Sequence, residues 1–329
     1  MKYNADKLFY NIKSDYEFEK FCFKLLNKHY KLNTVYRSYC DLINRPPESI
    51  NSIKEIPFLP ISFFKTHEIK TFSEKPKVIF QSSGTTNKTL SKHFLKNTIN
   101  YKKSFFKSFE MFYGNVSDWA ILALLPGYSI KNNSSLIFMV TELIKKTKSE
   151  LSGFFLEDYK KLRETLISLE SKKQKTILIG VSFALLDFIK TNKLKLEHTT
   201  IVETGGMKGN RKELVRKELH EKLCTGFGVE IIHSEYGMTE LLSQAYSKKG
   251  GKFISPPWMR VFTREIDDPL TSCPPNRIGS LNIIDLANTD SCPFLATEDI
   301  GKVDSEGNFE VLGRLDQAEV RGCNLLVSN

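Results

Sequence analysis

Short apolar runs at 119–125, 177–181, 200–203 and 229–232 alternate with amphipathic stretches at 97–113, 134–147, 157–171 and 210–223. Parallel strands need a long crossover between them, and the crossover helices cover both faces of the sheet. Such strands therefore read as continuous apolar runs, not as alternating ones. The pattern predicts an α/β chain built on a mainly parallel sheet flanked by helices. It begins at Val78-Ile79-Phe80. Before it, Phe18, Phe21, Cys22, Leu25 and Leu26 recur at three- and four-residue spacings, which predicts helix over 15–45, ended by Pro46-Pro47. The stretch 56–65 carries Pro57 and Pro60 and reads as extended or turn-rich. After about residue 250, prolines, glycines and short strands at 253–255, 280–284 and 309–312 predict a β-rich subdomain.

With 329 residues and 40% hydrophobic content, the chain can bury one large core or two moderate ones. No apolar run approaches the roughly 18 residues of a membrane span. Met1 to Tyr10 mixes charge and aromatics without a signal-peptide core, so a cytoplasmic location is expected. The cysteines Cys22, Cys40, Cys224, Cys273, Cys292 and Cys323 form no Cys-x-x-Cys pair and read as reduced thiols. The net charge of +10 comes mostly from lysine and suits anionic ligands such as nucleotides. No helix-turn-helix, zinc-finger or RNA-binding aromatic signature appears, so a nucleic-acid partner is not expected.

Four segments carry chemistry. The first is Gln81-Ser82-Ser83-Gly84-Thr85-Thr86, directly after an apolar strand. Its hydroxyls and backbone N–H groups suit a phosphate cradle, although the spacing is not that of a Walker A loop. A solvated turn is the alternative. The second is His233-Ser234-Glu235-Tyr236-Gly237-Met238-Thr239-Glu240. Tyr236 can stack a nucleobase, Thr239 can bond a phosphate and Glu240 can hold Mg²⁺. The alternative is a strand-to-helix turn in which Thr239 and Glu240 cap the next helix. The third is Thr297-Glu298-Asp299, read as a tight turn whose Asp299 suits ribose hydroxyls. The fourth is Gly313-Arg314-Leu315-Asp316, where Arg314 presents a planar fork to phosphate or ribose oxygens.

In this order the segments resemble the motifs of the adenylate-forming superfamily: acyl-CoA synthetases, firefly luciferase and adenylation domains. Ser82, Ser83, Gly84, Thr85 and Thr86 match its Ser-Gly-Thr-Thr loop, and residues 236–240 its Tyr-Gly-x-Thr-Glu motif. Residues 297–299 match Thr-Gly-Asp, and residues 313–316 the Gly-Arg-x-Asp hinge. Glu203-Thr204-Gly205-Gly206 stands where the family has its adenine-binding strand end. A closer resemblance is to the acyl-protein synthetase (LuxE-type) branch, carried by Pro57-Phe58-Leu59-Pro60-Ile61, Phe63-Phe64-Lys65-Thr66 and a cysteine near the end, Arg321-Gly322-Cys323. The departures are Asn87 for a glycine, Glu298 for the glycine of Thr-Gly-Asp, and Val320 for a lysine after the hinge aspartate. Lys88 or Lys92 is the candidate replacement for a missing phosphate-side lysine.

The resemblance implies the adenylate-forming N-terminal-domain fold, without the large C-terminal lid domain. It divides the chain into a core over 1–315, β-rich from about 250, and a hinge-like tail over 316–329 carrying Cys323. It implies ATP and Mg²⁺ as cofactors and a carboxylic acid, a fatty acid in the closer branch, as substrate. Ser82–Thr86, Lys88, Gly205, Gly206, Tyr236, Gly237, Asp299 and Arg314 would hold the nucleotide. Glu240 would hold the metal, and Thr239, Glu240, His233 and Cys323 would be catalytic. In that branch a terminal cysteine carries the acyl group as a thioester; an acyl reductase or acyl carrier protein is the implied partner. A ligase of the phenylacetate-CoA type, passing the acyl group to coenzyme A, a carrier protein or a sugar amine, is the alternative. A degenerate nucleotide-binding module without turnover is a second one. His233 has a structural reading, and Phe105-Phe106 and Phe154-Phe155 read either as core or as an acyl tunnel.

Overall fold

The computed structural model describes residues 12–82, 89–125, 133–205 and 214–315. Two helices come first, α1 (Asp15–Leu32) and α2 (Thr34–Leu42). Ser14 caps α1 by accepting from the Glu17 amide, and Asn33 caps α2 by accepting from the Tyr36 amide. Asn33 thus divides the helical region that the spacing alone reads as one. A short strand β1 (Leu59–Pro60) and one helical turn α3 (Phe63–Thr66) follow. Strands β2 (Val78–Gln81) and β3 (Lys92–Leu95) then pair antiparallel.

The middle of the chain alternates as the apolar runs predict. It runs α4 (Ile99–Tyr113), β4 (Ala120–Leu124), α5 (Ser135–Lys146), β5 (Gly153–Phe154), α6 (Tyr159–Ser171), β6 (Thr176–Val181), α7 (Ser182–Thr191), β7 (Thr199–Thr204), α8 (Arg216–Phe227), β8 (His233–Tyr236) and β9 (Ala245–Ser247). The sheet order is β5-β4-β6-β7-β8-β9, parallel up to β8, with β9 antiparallel to it. Every residue of β4 and β6 is buried, which is why these strands read as unbroken apolar runs. Side chains of α4 and α5 lie over Ile121, Ile177, Ile179 and Val202 on one face. On the other face Leu185 of α7 packs on Gly180, and Arg216 of α8 reaches Glu203.

A second sheet follows: β10 (Lys252–Phe253), β11 (Met259–Arg264), β12 (Gly279–Asp285), β13 (Phe294–Val303) and β14 (Phe309–Arg314). Its order is β10-β14-β13-β12-β11, all antiparallel, with β1 joining β13 in parallel. The first helix is fastened to this late sheet. The Arg260 guanidinium lies 4.0 Å over the Phe18 ring and bonds Asp15, and Lys28 donates to Asp290 at 2.8 Å.

Three local expectations give way. The strand expected at 229–232 lies at His233–Tyr236 instead. Gly228 ends α8 in the left-handed region (φ 65°, ψ 34°), where an added Cβ would stand 2.6 Å from the Leu194 carbonyl. Residues 229–232 carry the chain back to the sheet, and the ladder starts only where Val202 meets His233. Residues 297–299 are not a tight turn but part of β13, just before a register shift between Ile300 and Gly301. No helix follows Thr239 and Glu240; a turn leads directly into β9.

Candidate active site

In open α/β sheets the ligand crevice lies outside the carboxyl ends of the strands. Here β7 ends at Thr204-Gly205, with Gly205 at φ 70°, and β8 ends at Tyr236. The second sheet brings Asp299 and Arg314, cross-strand partners on β13 and β14, up to the end of β8. The Tyr236 hydroxyl donates to Asp299 Oδ2 at 2.7 Å, and Arg314 Nε stands 3.6 Å from Asp299 Oδ1. One hydrogen bond thus ties the two sheets together at the crevice. The Tyr236 ring is buried against Phe309 and Phe253, with centroids 5.2 and 5.8 Å away. Burial and the Asp299 carboxylate push its phenol well above the ordinary value. Asp299 is itself raised by burial, opposed by the Tyr236 bond and the Arg314 charge.

Glu240 is buried in the turn after β8. Burial raises its carboxyl; a hydrogen bond from Ser91 and the charge of Arg314 act the other way. Ser91 also closes the β2–β3 pair. Ser82 N donates to Ser91 O at 3.1 Å, and Ser91 N donates to Ser82 Oγ at 3.0 Å. Ser82, near the start of the hydroxyl-rich segment, is therefore pinned to Ser91 beside Glu240. Two residues on, His93 is fully buried, with Nδ1 2.8 Å from the Thr239 carbonyl and Nε2 3.2 Å from Asn288 Oδ1. Asn288 Nδ2 donates to the carbonyls of Glu240 and Cys292, both at 2.9 Å, which fixes the orientation of the amide. Burial drives the His93 ring down to about 4 against these two bonds; a neutral ring carries a single N–H, so it donates to one of the two acceptors at a time. This His93–Asn288 pair holds the backbone of Thr239 and Glu240 in place.

Below the crevice, β7 and β8 carry two buried glutamates. Glu203 bonds Arg216 at 2.6 Å and Ser182 at 3.0 Å and lies 3.6 Å from His220. Burial alone raises it, but the His220 bond, the Arg216 charge and the Ser234 bond outweigh that and hold it below the usual carboxylate value. Glu235 accepts from the Thr204 hydroxyl. Burial and the nearby Glu203 push it up to about 7 against that bond. His233 Nδ1 lies 3.2 Å from the Tyr113 hydroxyl, and burial followed by the Lys248 charge lowers it to about 4.

Of the residues named from sequence, Ser82, Gly205, Tyr236, Gly237, Thr239, Glu240, Asp299 and Arg314 are placed at or beside this crevice, whereas His233 stands at the opposite end of β8, stacked on Tyr113. Ser83, Gly84, Thr85, Thr86, Lys88, Gly206 and Cys323 lie outside the described residues. Lys92 is exposed at the start of β3. Phe105 is core, packed edge-on or tilted against Tyr101, Phe106 and Phe138. Ser91, His93, Glu235 and Asn288 were missed. Glu235 had a signal: it stands inside a quoted motif, where alternation from an apolar strand points it inward.

Comparison with solved structures places the fold. The chain is similar to ATP-bound MatB from Rhodopseudomonas palustris (TM-score 0.54, 17% identity, 74% of this chain and 49% of that one). It is also similar to MenE, the O-succinylbenzoate coenzyme A synthetase of Bacillus subtilis, in complex with ATP and magnesium ion (TM-score 0.51, 19% identity, 72% and 49%). An open conformation of 2-hydroxyisobutyryl-CoA ligase with 2-HIB-AMP and CoA aligns more fully (TM-score 0.68, 9% identity, 92% and 70%). The chain has the fold of the adenylate-forming enzymes and spans about half the length of the MatB and MenE structures. No curated protein sequence matches it significantly. The acyl-protein synthetase, LuxE, family model matches residues 5–329, and the chain belongs to that family.

Proposed function

We propose that this protein is a ligase that activates a carboxylic acid with ATP and passes the acyl group to a thiol. The observation that carries the reading is the Tyr236–Asp299–Arg314 cluster beside Glu240, assembled from both sheets at the carboxyl ends of the parallel strands. Membership of the acyl-protein synthetase family supports it. Asp299 and Arg314 would take the ribose and phosphate oxygens, and Ser82 would stand on the phosphate side.

Among the described residues no group of three or more His, Cys, Asp or Glu side chains could enclose a metal ion. One buried carboxyl, Glu240, fits an Mg²⁺ carried mainly by nucleotide phosphates, because such an ion keeps its waters and takes one or two carboxylates. When bound, the ion neutralises phosphate charge. In the first step a carboxylate oxygen of the acid bonds to the α-phosphorus, the bond to the β-phosphate oxygen breaks, and pyrophosphate leaves. In the second, a thiolate bonds to the acyl carbon and AMP leaves with the electron pair of the C–O bond. Cys323 is the proposed thiol, with a fatty acid as the acid and an acyl reductase or acyl carrier protein as the onward acceptor. No described helix is long and apolar enough to cross a membrane.

Incubation with ATP, Mg²⁺ and radiolabelled acids should release pyrophosphate and leave hydroxylamine-labile label on the protein. Cys323→Ser should abolish the label and keep pyrophosphate release. Label persisting in Cys323→Ser would place the nucleophile elsewhere, and no release with any acid would sink the ligase reading.

A further inference from the structure

Along β7 and β8, Val202 stands opposite His233, Glu203 opposite Ser234 and Thr204 opposite Glu235. Side chains alternate between faces, so Glu203 and Ser234 face α8 while Val202, Thr204, His233 and Glu235 share the face under α4 and α5. Beyond Thr204, His233 and Glu235 that face is apolar. Ile121, Ile179, Val202, Tyr113, Met139 and Tyr246 are among the residues that enclose a cavity of ≈ 20 Å³, room for about one water. Glu235, 7% exposed, is a carboxyl on this wall, close enough to raise Tyr101, Tyr113 and Tyr246 by its charge.

One Glu235 oxygen accepts from Thr204. The other, Oε1, lies along Gly237, where an added Cβ would stand 2.7 Å from it. Gly237 opens the turn that carries Thr239 and Glu240. This oxygen therefore sits where the apolar wall meets the turn of the reaction site. Among the described residues the groups acting on Glu235 are its burial, Thr204 and the like-charged Glu203, with no cation. Arg216 and His220 are engaged by Glu203 on the opposite face. A buried carboxyl without a cation is satisfied either by its own proton or by a donor that arrives with a ligand.

We propose that Glu235 reads a hydrogen-bond donor, a hydroxyl or an ammonium, on the second or third carbon of the carboxylic acid, so that the site selects hydroxy or amino acids over the plain acid of equal length. The inference rests on the ligase reading above. An acid with its carboxylate at the Thr239–Glu240 turn would lay its second and third carbons against Glu235 Oε1, beside Gly237. Thr204 keeps one carboxyl oxygen, and the substrate's donor meets the other. A plain acid would cover that oxygen with CH₂ and leave it unsatisfied.

The test is pyrophosphate release at pH 8 with ATP, Mg²⁺ and matched acids: butanoate against 3-hydroxybutanoate and against 2-aminobutanoate, and decanoate against 3-hydroxydecanoate. The donor-bearing member of at least one pair should show kcat/KM about tenfold or more above its plain partner, since sites built around a buried acceptor discriminate strongly. In Glu235→Leu that ratio should fall to about twofold or less, with the KM for ATP nearly unchanged. Glu235→Gln, which keeps the shape and the Thr204 partner, should fall between and serves if the leucine variant does not fold. The responding pair tells hydroxyl from ammonium. Plain acids turned over as well as their partners, or a preference that survives both substitutions, would overturn the inference and leave the ligase reading standing. Release with no acid overturns both.

Discussion

Glu203 and Glu235 lie on adjacent strands, one residue apart in register, and are both buried, yet their surroundings are opposite. Glu203 faces α8 and is met by Arg216, His220 and Ser182. Glu235 faces an apolar wall and is met by Thr204. The first arrangement is a closed structural knot that holds α8 and the start of α7 to the sheet. The second leaves a carboxyl whose charge nothing among its described neighbours balances. The sheet separates the two, so one face builds the scaffold and the other faces the acid.

The largest effect should follow from breaking the knot. Arg216→Met leaves Glu203 buried without its guanidinium. It should cost about 3 kcal/mol in urea unfolding, the low end for such a break because the Arg216 side chain is 30% exposed. Glu235→Leu removes an uncompensated carboxyl and should stay within about 1 kcal/mol of the wild type, because an apolar replacement of a buried charge is often neutral. Equal losses in the two variants would erase the distinction between the faces.

The pH dependence sharpens the same contrast. Raised from 4.5 to about 7, Glu235 keeps its proton in the fold after the unfolded chain has lost it. Its favourable share is therefore full below pH 4.5 and is lost as pH rises to about 7. The interval corresponds to at most about 3 kcal/mol, and relaxation around the buried group should bring it to about 2. Glu203, held low, acts in reverse: its share is present above 4.5 and lost as pH falls through its folded value. Glu235→Gln should flatten the stability profile between pH 5 and 7 by that amount. The buried histidines His29, His93 and His233, lowered to about 3, 4 and 4, weaken the fold below about 6.5 in both proteins and cancel in the difference. An unchanged profile in Glu235→Gln would mean that its proton is held equally in the unfolded chain.

Much of this frame was readable in the sequence because parallel strands and crossover helices carry their own patterns. The unbroken run Ile177 to Val181 is strand β6, and 157–171 holds α6, because both are decided by local periodicity. The strand at 229–232 was misread because Val229, Ile231 and Ile232 are apolar, whereas pairing with Val202, a long-range fact, starts the ladder at His233. Tyr236, Asp299 and Arg314 were legible as motif residues, but their meeting was not, since it depends on how the second sheet docks on the first. His93 and Asn288 had no local signal. They act on the backbone of Thr239 and Glu240 from 146 and 48 residues away.

The smallest effect tests whether the faces act independently. Ser182, the first residue of α7, has one hydroxyl proton within reach of two acceptors, Glu203 Oε2 at 3.0 Å and the Gly205 carbonyl at 2.8 Å. It therefore couples the structural knot to the end of β7, where Gly205 turns at φ 70° into the crevice. Ser182→Ala should cost about 1 kcal/mol of stability, the worth of one buried hydrogen bond. With Gly205 less firmly held, the KM for ATP should rise about threefold, less than 1 kcal/mol of binding. The preference for 3-hydroxybutanoate over butanoate should not change, because Glu235 and Thr204 lie on the other side of the sheet. If that preference fell in step with the rise in KM, the two carboxyls would be parts of one network, and the division of labour between the faces would be wrong.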